Sequence, residues 1–299
     1  MQIQTSFIEQ PGADQAEKGK LYLVPTPIGN LDDMTFRAVN TLKEVALILA
    51  EDTRHTIKLL NHFTIETKMR SFHEHSRAQE VEEWVQMLEE GHDLALVSDA
   101  GMPLINDPGH PLVQACLEKA VDIVALPGAN AALTALIASG LSSEHFTYYG
   151  FFPRSSKDQK AALSLVGSRQ ETAIFYESPF RIKKAVAAIE KELGPETLVV
   201  VARELTKRYE EYLRGTAVEL SAYLAEHPLK GEIVLILEGG RLPLGGNLAE
   251  KAVNLDLPYK EQVELLMAEE GLSSKEAIKQ VAKQLNIKKQ DVYQAYHEL

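Results

Sequence analysis

Short apolar runs rich in Leu or β-branched residues recur along the chain, and each leads into a loop segment. They stand at KLYLVPTPIGN, VALILAEDT, DLALVSDAGMP, DIVALPGAN, TAIFYESP, TLVVVARE and GEIVLILEGG. Amphipathic helical patterns separate the early runs, as in MTFRAVNTLKEV, RAQEVEEWVQMLEEG and PLVQACLEKA. Strands that alternate with helices predict βαβ units, so residues 20 to about 140 are expected to form a largely parallel sheet. Ligands bind at the carboxyl ends of the strands in such sheets, which directs attention to the loops.

The same pattern divides the chain into four parts. Residues 1–19 are expected to be a disordered tail, and residues 20–145 a first α/β domain. Residues 146–240 keep the strand-then-loop order and are expected to form a second α/β domain. After the Gly/Pro-rich linker GGRLPLGGN, residues 247–299 show helical patterns alone, which predicts a small C-terminal helical module.

The composition is that of a soluble globular protein, with 45% hydrophobic and 25% charged residues among 299. Cys116 is the single cysteine, so neither an intrachain disulfide nor a cysteine-based zinc site is expected, and a cytoplasmic location is predicted. The N-terminus has no basic start before an apolar run, and no apolar stretch is long enough to span a membrane. Neither secretion nor membrane insertion is therefore expected.

The net charge of −12 argues against binding of bare duplex nucleic acid by bulk attraction. Local basic clusters can still act, because salt screens distant charges.

Two loop segments have residue patterns that bear directly on a possible ligand site. Residues 25–30, PTPIGN, hold the backbone in a rigid open path, which suits either a structural turn or the floor of a ligand site. The chain has neither the G-x-G-x-x-G spacing of dinucleotide sites nor the G-x-x-x-x-G-K-[ST] of phosphate-binding loops. Asp99 ends a strand in SDAGMPLINDPG, where its carboxylate can accept a hydrogen bond from a ribose hydroxyl or an ammonium group. The alternative is an acidic turn in which Asp107 caps the following helix.

Three polar segments offer further chemistry. EDTRHT at residues 51–56 comes directly after a predicted strand. SFHEHS at residues 71–76 places His73 and His75 two positions apart, but no recognised spacing supplies a third metal ligand, so no metal site is predicted. ARELTKRYEE at residues 202–211 clusters basic side chains after a strand, which indicates either phosphate recognition or a solvated charged turn.

Taken together, these segments resemble the successive motifs of one known family, the S-adenosylmethionine-dependent methylases of the tetrapyrrole-methylase fold. The resemblance covers about residues 20–240 in order, and it is closest to the branch that methylates a cytidine ribose 2′-hydroxyl in small-subunit ribosomal RNA. It rests on LYLVPTPIGNLDDMTFRAVNTLKEVALILAEDTRHT, SFHEH, VSDAGMPLINDPG, PGANAALTALIASGL, FYESPFRI, ARELTKRYEE and GEIVLILEG.

The resemblance implies two α/β domains of the class III methyltransferase type, with S-adenosylmethionine bound in a folded shape in the cleft between them. It also implies a homodimer. Ser98, Asp99 and Ala100 stand where many porphyrin-modifying relatives have Gly-Asp-Pro. The family's cofactor contacts carry over to Pro27, Asp99, Met102, Ala129 and Asn130, with Glu177, Glu204 and Glu232 near the later contact positions.

Methyl transfer to oxygen is an in-line displacement in which alignment supplies much of the rate, and it requires no metal. A ribose hydroxyl is a weak acid, so a general base or a cation beside the forming alkoxide should help. The residues expected to accept the proton are Glu51, Asp52, His73 and Glu74, and those expected to bind phosphate or the alkoxide are Arg54, Arg203 and Lys207. The expected partner is small-subunit ribosomal RNA, within the assembled subunit.

The C-terminal segment SSKEAIKQVAKQLNIKKQDVYQAYHEL resembles a helix-turn-helix unit, with a capping box at Ser273 and Glu276. Its lysines are expected either to face a phosphate backbone or to lie on an amphipathic module that packs on the main body or the partner subunit. They are Lys275, Lys279, Lys283, Lys288 and Lys289.

Two other functions compete with RNA methylation. A tetrapyrrole-ring methylase shares the fold and cofactor but needs a deep apolar cleft, which the charged AEDTRHT and HEH segments argue against. A non-catalytic RNA-binding factor would keep the fold for binding alone, which the completeness of the cofactor loops argues against.

Overall fold

The computed structural model describes residue 4 and residues 18–72, 78–240, 258–270, 272–284 and 287–297. Three segments discussed above lie outside the described residues. They are most of the predicted tail, the linker GGRLPLGGN after its first two residues, and the segment with His73, Glu74 and His75.

The first sheet is wholly parallel, with strand order β3-β2-β4-β1-β5. Its strands are β1 (Leu21–Val24), β2 (Leu47–Ala50), β3 (Met69–Ser71), β4 (Leu94–Val97) and β5 (Ile123–Ala125). Its helices are α1 (Phe36–Glu44), α2 (Thr53–His62), α3 (Ala78–Glu89) and α4 (His110–Glu118), after a short 3₁₀ turn at Leu31–Asp33. Side chains alternate between the two faces, so α3 and α4 cover one face and α1 and α2 the other.

The second sheet is mixed, with strand order β6-β7-β10-β8-β9. Its strands are β6 (Phe146–Phe151), β7 (Thr172–Glu177), β8 (Leu198–Arg203), β9 (Glu211–Thr216) and β10 (Ile233–Glu238). β6 pairs with β7 in parallel, and the other pairs are antiparallel. One face packs on α6 (Ser156–Ser168), α7 (Ile182–Leu193) and α8 (Ala217–Glu226).

Helix α5 (Ala131–Ser139) joins the two halves of the molecule. It follows β5 of the first sheet in the chain, but it packs on the second sheet. Ala132, Ala135 and Leu136 are buried there in one cluster with side chains of β7, β8 and β10. The second sheet is therefore covered on both faces, and one of its covering helices comes from the segment predicted to belong to the first domain.

Three C-terminal helices form a core of their own: α9 (Tyr259–Glu270), α10 (Ser274–Gln284) and α11 (Lys289–His297). Val263, Ile278 and Val281 are buried between them. Oε2 of Glu276 accepts hydrogen bonds from the backbone N–H and the hydroxyl of Ser273, at 3.1 and 2.6 Å. The prediction of two α/β sheets followed by a helical module is confirmed.

Cys116 is fully buried on α4, and burial raises the pKa of its thiol to about 12. Within the described residues, none of the helices combines the length and apolar character that crossing a membrane requires.

Candidate active site

A cavity of about 610 Å³ opens between the two sheets, where the strands of the first sheet end. This volume is in the usual range for small-ligand sites, about 300–1,000 Å³. Loops after β1, β4 and β5 form one side, and the end of β7 and the start of β10 form the other. The polar and apolar lining includes Ile28, Asp99, Met102, Asn130, Glu177 and Glu232.

The loop at residues 98–109 forms one wall of the cavity and has an unusual backbone. At Asn106, φ is +66°, in the left-handed region that side chains disfavour. Such strain persists where neighbouring contacts hold it, and it clusters at functional sites. Thr26 and Gly101 exchange backbone hydrogen bonds of 2.9 Å in both directions, and the Tyr148 hydroxyl donates to Oδ1 of Asn106. The loop is therefore fixed from both sheets.

Asp99 is held in place by the start of helix α2. The backbone N–H of Asp52 donates to Oδ1 of Asp99 over 3.1 Å, and Nδ1 of His55 lies 3.5 Å from its Oδ2. Asp52 caps α2, and hydrogen bonds from Arg54 hold the pKa of that carboxyl well below its usual range. The Asp99 side chain stays 39% exposed, so its carboxylate is oriented yet open to a ligand.

The side chains around Asp99 also have the spacing of a metal site. Asp52, His55 and Asp99 each offer one ligand atom, and these atoms lie within 4.8 Å of one another. However, the guanidinium of Arg54 already donates to both carboxylate oxygens of Asp52, at 2.6 to 3.2 Å. A cation would have to displace this bidentate pair.

Asp107 lies in the same wall and has an unusual proton affinity. Burial, together with the negative charges of Glu51 and Asp99, raises its pKa to about 7, although a hydrogen bond from Ser98 opposes the shift. Asp107 does not cap α4, because Gly109 is the N-cap residue and no side-chain hydrogen bond caps that helix. A carboxyl that exchanges protons near neutral pH suits acid–base chemistry.

Glu51 lies beside this wall without lining the cavity. Its Oε2 is buried and accepts no hydrogen bond from the described residues. Burial and the charge of Asp99 raise the pKa of Glu51, against a lowering by a backbone hydrogen bond from Asp99. Glu51 therefore acts on the cavity through its charge, which favours the protonated form of Asp107.

Glu177 and Arg181 form the part of the wall that follows β7. Glu177 is 5% exposed, and burial raises its pKa. Nη2 of Arg181 lies 3.2 Å from Oε2 of Glu177, and it donates to the carbonyls of Phe152 and Pro153 at 2.9 and 2.8 Å. Arg181 thus ties the turn after β7 to the segment after β6.

The loop after β8 carries a charge network at the cavity edge. Nζ of Lys207 lies 3.0 Å from Oε1 of Glu204 and 2.8 Å from Oε2 of Glu232. The backbone N–H of Glu232 also donates to Oε1 of Glu204, which is the largest cause of the lowered pKa of Glu204. Nε of Arg203 pairs with Glu211 at 2.5 Å. All three cations predicted to bind phosphate or an alkoxide are thus paired with carboxylates, since Arg54 is paired with Asp52.

Five of the eight predicted cofactor residues line the cavity together. They are Asp99, Met102, Asn130, Glu177 and Glu232. The other three, Pro27, Ala129 and Glu204, each precede a lining residue in the chain: Ile28, Asn130 and Leu205.

The predicted catalytic residues are placed differently. Glu51, Arg54, Arg203 and Lys207 do not line the cavity, and Glu74 lies outside the described residues. Asp107 was missed as a chemical group, because its aspartate-proline-glycine context matches an ordinary helix start.

A sequence model of one family, described as tetrapyrrole (corrin/porphyrin) methylases, matches residues 20–221. The chain belongs to the tetrapyrrole methylase family. It is therefore a methyltransferase-family enzyme, and the recognition made from the sequence motifs is confirmed.

Curated relatives of this methylase match along its whole length. A protein of Streptococcus pyogenes serotype M1 is 48% identical over 299 residues, which are all of both chains. A protein of Bacillus subtilis (strain 168) is 46% identical over 284 residues, or 95% of this chain and 96% of the relative. Both relatives are named ribosomal RNA small subunit methyltransferase I.

The fold of this methylase also matches solved structures. The crystal structure of the methyltransferase CobJ covers 74% of this chain and 94% of its own, with a TM-score of 0.56 and 17% identity. At this identity the likeness shows the fold alone.

Proposed function

We propose that this methyltransferase transfers the methyl group of S-adenosylmethionine to the ribose 2′-hydroxyl of a cytidine in small-subunit ribosomal RNA. The observation that carries the proposal is the cavity between the sheets, where Asp99, Asn130 and Glu232 converge from separate loops. The full-length relatives named for ribosomal RNA methylation support the substrate. Such a substrate also agrees with the cytoplasmic location that the cysteine content predicts.

The residues of the cavity fit S-adenosylmethionine. This molecule joins a flat apolar base, a ribose with two hydroxyls and an amino acid with an ammonium group. Ile28 and Val234 offer apolar surface to the base, and the carboxylates of Asp99 and Glu232 accept hydrogen bonds from hydroxyl or ammonium donors. S-adenosylmethionine would supply an electrophilic methyl group on its sulfonium sulfur when bound.

The chain's own contribution to the chemistry is orientation and proton transfer. The fixed loop at residues 98–109 holds the cavity wall rigid, so that hydroxyl and methyl can be aligned. We assign proton acceptance to a carboxylate oxygen of Asp107, which lines the cavity and has a pKa raised to about 7. The acceptor is thus Asp107 rather than Glu51 or Asp52, which lie beside the cavity.

A homodimer is part of the same proposal. Leu133 and Ile137 lie one helical turn apart on α5 and expose 46% and 79% of their surface. Apolar surface of this kind is commonly covered by a second subunit. Analytical ultracentrifugation of the wild-type protein and of Ile137→Asp tests the dimer, which the substitution should weaken.

The decisive experiment measures transfer of labelled methyl from S-adenosylmethionine to purified small ribosomal subunits that lack the modification. Nuclease mapping then locates the label. We expect label on one cytidine ribose, and faster transfer to assembled subunits than to protein-free RNA. Cofactor binding is measured separately by calorimetry. Cofactor binding without transfer to RNA would overturn the RNA substrate and make a tetrapyrrole the next candidate, while binding without transfer to either would favour a non-catalytic role.

A further inference from the structure

Two phenylalanine rings stand in solvent at the mouth of the cavity. Phe151 lines the cavity and is 62% exposed. Phe180 is 92% exposed and lies between Pro179 and Arg181, which both line the cavity. A single exposed apolar side chain needs no explanation, but two exposed aromatic rings at one opening form an apolar surface suited to binding a partner.

The two rings are carried on backbone segments that are tied to each other. Phe151 ends β6, and its ring meets the edge of Tyr176 at 6.0 Å between centroids, with 72° between the planes. Phe180 lies in the turn after β7. Arg181, its neighbour, donates to the carbonyls of Phe152 and Pro153, directly after Phe151. The ring of Phe151 and the backbone that carries Phe180 are therefore positioned before any ligand binds, which lowers the entropic cost of using them.

An available positive charge lies beside the rings. Arg154 is exposed, lines the cavity, and makes no hydrogen bond or ion pair with the described part of the chain. Its charge acts on Glu177 by Coulombic attraction. Arg181, Arg203 and Lys207, by contrast, are each engaged by a carboxylate. Of the two cations that line the cavity in the described part of the chain, Arg154 is thus the one whose guanidinium is open to an incoming phosphate.

We propose that Phe151, Phe180 and Arg154 form a nucleotide-binding rim, in which the rings stack on an unpaired RNA base and Arg154 binds a backbone phosphate. This inference rests on the proposed RNA substrate. Proteins read single-stranded RNA by stacking unpaired bases on aromatic side chains, with cations along the backbone. The rim is continuous with the cavity, so a base held there would deliver its own or a neighbouring ribose to Asp107.

The test measures binding of unmodified small ribosomal subunits to the wild-type protein and to variants. Phe151→Ala and Phe180→Ala should each weaken binding roughly tenfold. Phe180→Ala should keep an unchanged affinity for S-adenosylhomocysteine, because Phe180 does not line the cavity. Phe180→Trp should retain the affinity, and Phe180→Leu should lose it, because leucine keeps apolar bulk without a stacking face. Phe36→Ala is the matched control, because Phe36 is also 92% exposed but lies on α1 outside the cavity.

Arg154 gives an independent readout. Arg154→Ala should reduce the slope of log affinity against log salt by about one, as expected for the loss of one phosphate contact. Wild-type binding by the phenylalanine variants, or full rescue by leucine, would overturn the stacking role. A changed oligomeric state in these variants would instead make the rim a subunit contact. Failure of the RNA substrate itself is distinguishable, because the wild-type protein would then neither bind nor methylate the subunits.

Discussion

Gly29 and Lys207 approach so closely that a Cβ atom on Gly29 would lie 2.4 Å from Cγ of Lys207. The same atom would lie 2.8 Å from Oγ1 of Thr206, which accepts a hydrogen bond from the backbone N–H of Asn30 at 3.0 Å. The backbone of the loop after β1 thus touches side chains of the loop after β8, and a glycine makes this contact sterically feasible.

Gly29→Ala is therefore expected to push the two loops apart and to lower the free energy of unfolding by about 1–2 kcal/mol. Chemical denaturation measures this loss. A double-mutant cycle with Lys207→Ala should show coupling between the two positions, because removal of Cγ relieves part of the clash. Strict additivity would contradict the contact.

Asp99→Ala is expected to weaken binding of S-adenosylmethionine at least tenfold while the protein stays folded. The carboxylate is oriented by the backbone N–H of Asp52 and accepts ligand donors, which would be left unpaired without it. Calorimetric titration measures the affinity, and circular dichroism checks the fold. Asp33→Ala, on an exposed turn, is the control. Normal affinity for S-adenosylmethionine in a folded Asp99→Ala protein would contradict the assignment of Asp99 to the cofactor site.

The rate of methyl transfer is expected to rise with pH through about 7, since Asp107 accepts a proton only when it is ionised. Single-turnover rates with cofactor and subunits saturating measure this profile. Asp107→Asn should lose at least a hundredfold in rate and should abolish the pH dependence, with cofactor affinity kept. An Asn variant that retains the wild-type profile would remove Asp107 from the reaction.

The same carboxyl should make stability depend on pH. The pKa of Asp107 is raised from 3.8 to about 7 on folding, so between these values the native state holds a proton that the unfolded state has released. Stability contributed by this group therefore falls as pH rises from about 4 to about 7.

Urea denaturation of the wild-type protein and Asp107→Asn at pH 5 and pH 8 isolates this effect. The free energy of unfolding of the variant minus that of the wild-type protein should rise by about 1–2 kcal/mol from pH 5 to pH 8. This rise is less than the pKa shift alone implies, because solvent reaches the group. Glu177 also has a raised pKa but contributes equally to both proteins. Because the charges of Glu51 and Asp107 interact, the difference reports on this pair. An unchanged difference would show that Asp107 titrates normally.

Lys207→Ala is expected to weaken cofactor binding a few-fold. Lys207 holds Glu232 at the cavity wall and neutralises it together with Glu204, so its loss leaves two carboxylates facing each other. Arg203→Ala is the matched control for this affinity, because it breaks a pair with Glu211 outside the cavity. Equal effects of both substitutions would contradict a specific link through Glu232.

The interior strands could be predicted from sequence because they are buried on both faces and read as apolar runs, as in β4 and β10. Three strands were missed: β3, β6 and β9. All three are edge strands, and their residues are half-buried or exposed. An edge strand pairs on one side and needs no continuous apolar run, so its sequence resembles a loop.

The loops that form the site could be predicted from the sequence, but the residue whose pKa is raised to about 7 could not. Asp99 was found because a carboxylate at a strand end is a local pattern. The pKa of Asp107 is raised mainly by burial between the loops and further by the charge of Glu51, more than fifty positions earlier. Likewise, the pairing of Lys207 with Glu232 depends on two strands that meet in the sheet. Such long-range contacts leave no local signal.

Helix α5 has a consequence for how the molecule folds. A fragment that ends at residue 145 would leave Ala132, Ala135 and Leu136 without the sheet that covers them, and would be prone to aggregate. The two halves are therefore expected to unfold together, as one cooperative unit, and not as two independent domains. The short segment between β5 and α5 is therefore a covalent connection between the two halves, and its last residue, Asn130, lines the cavity.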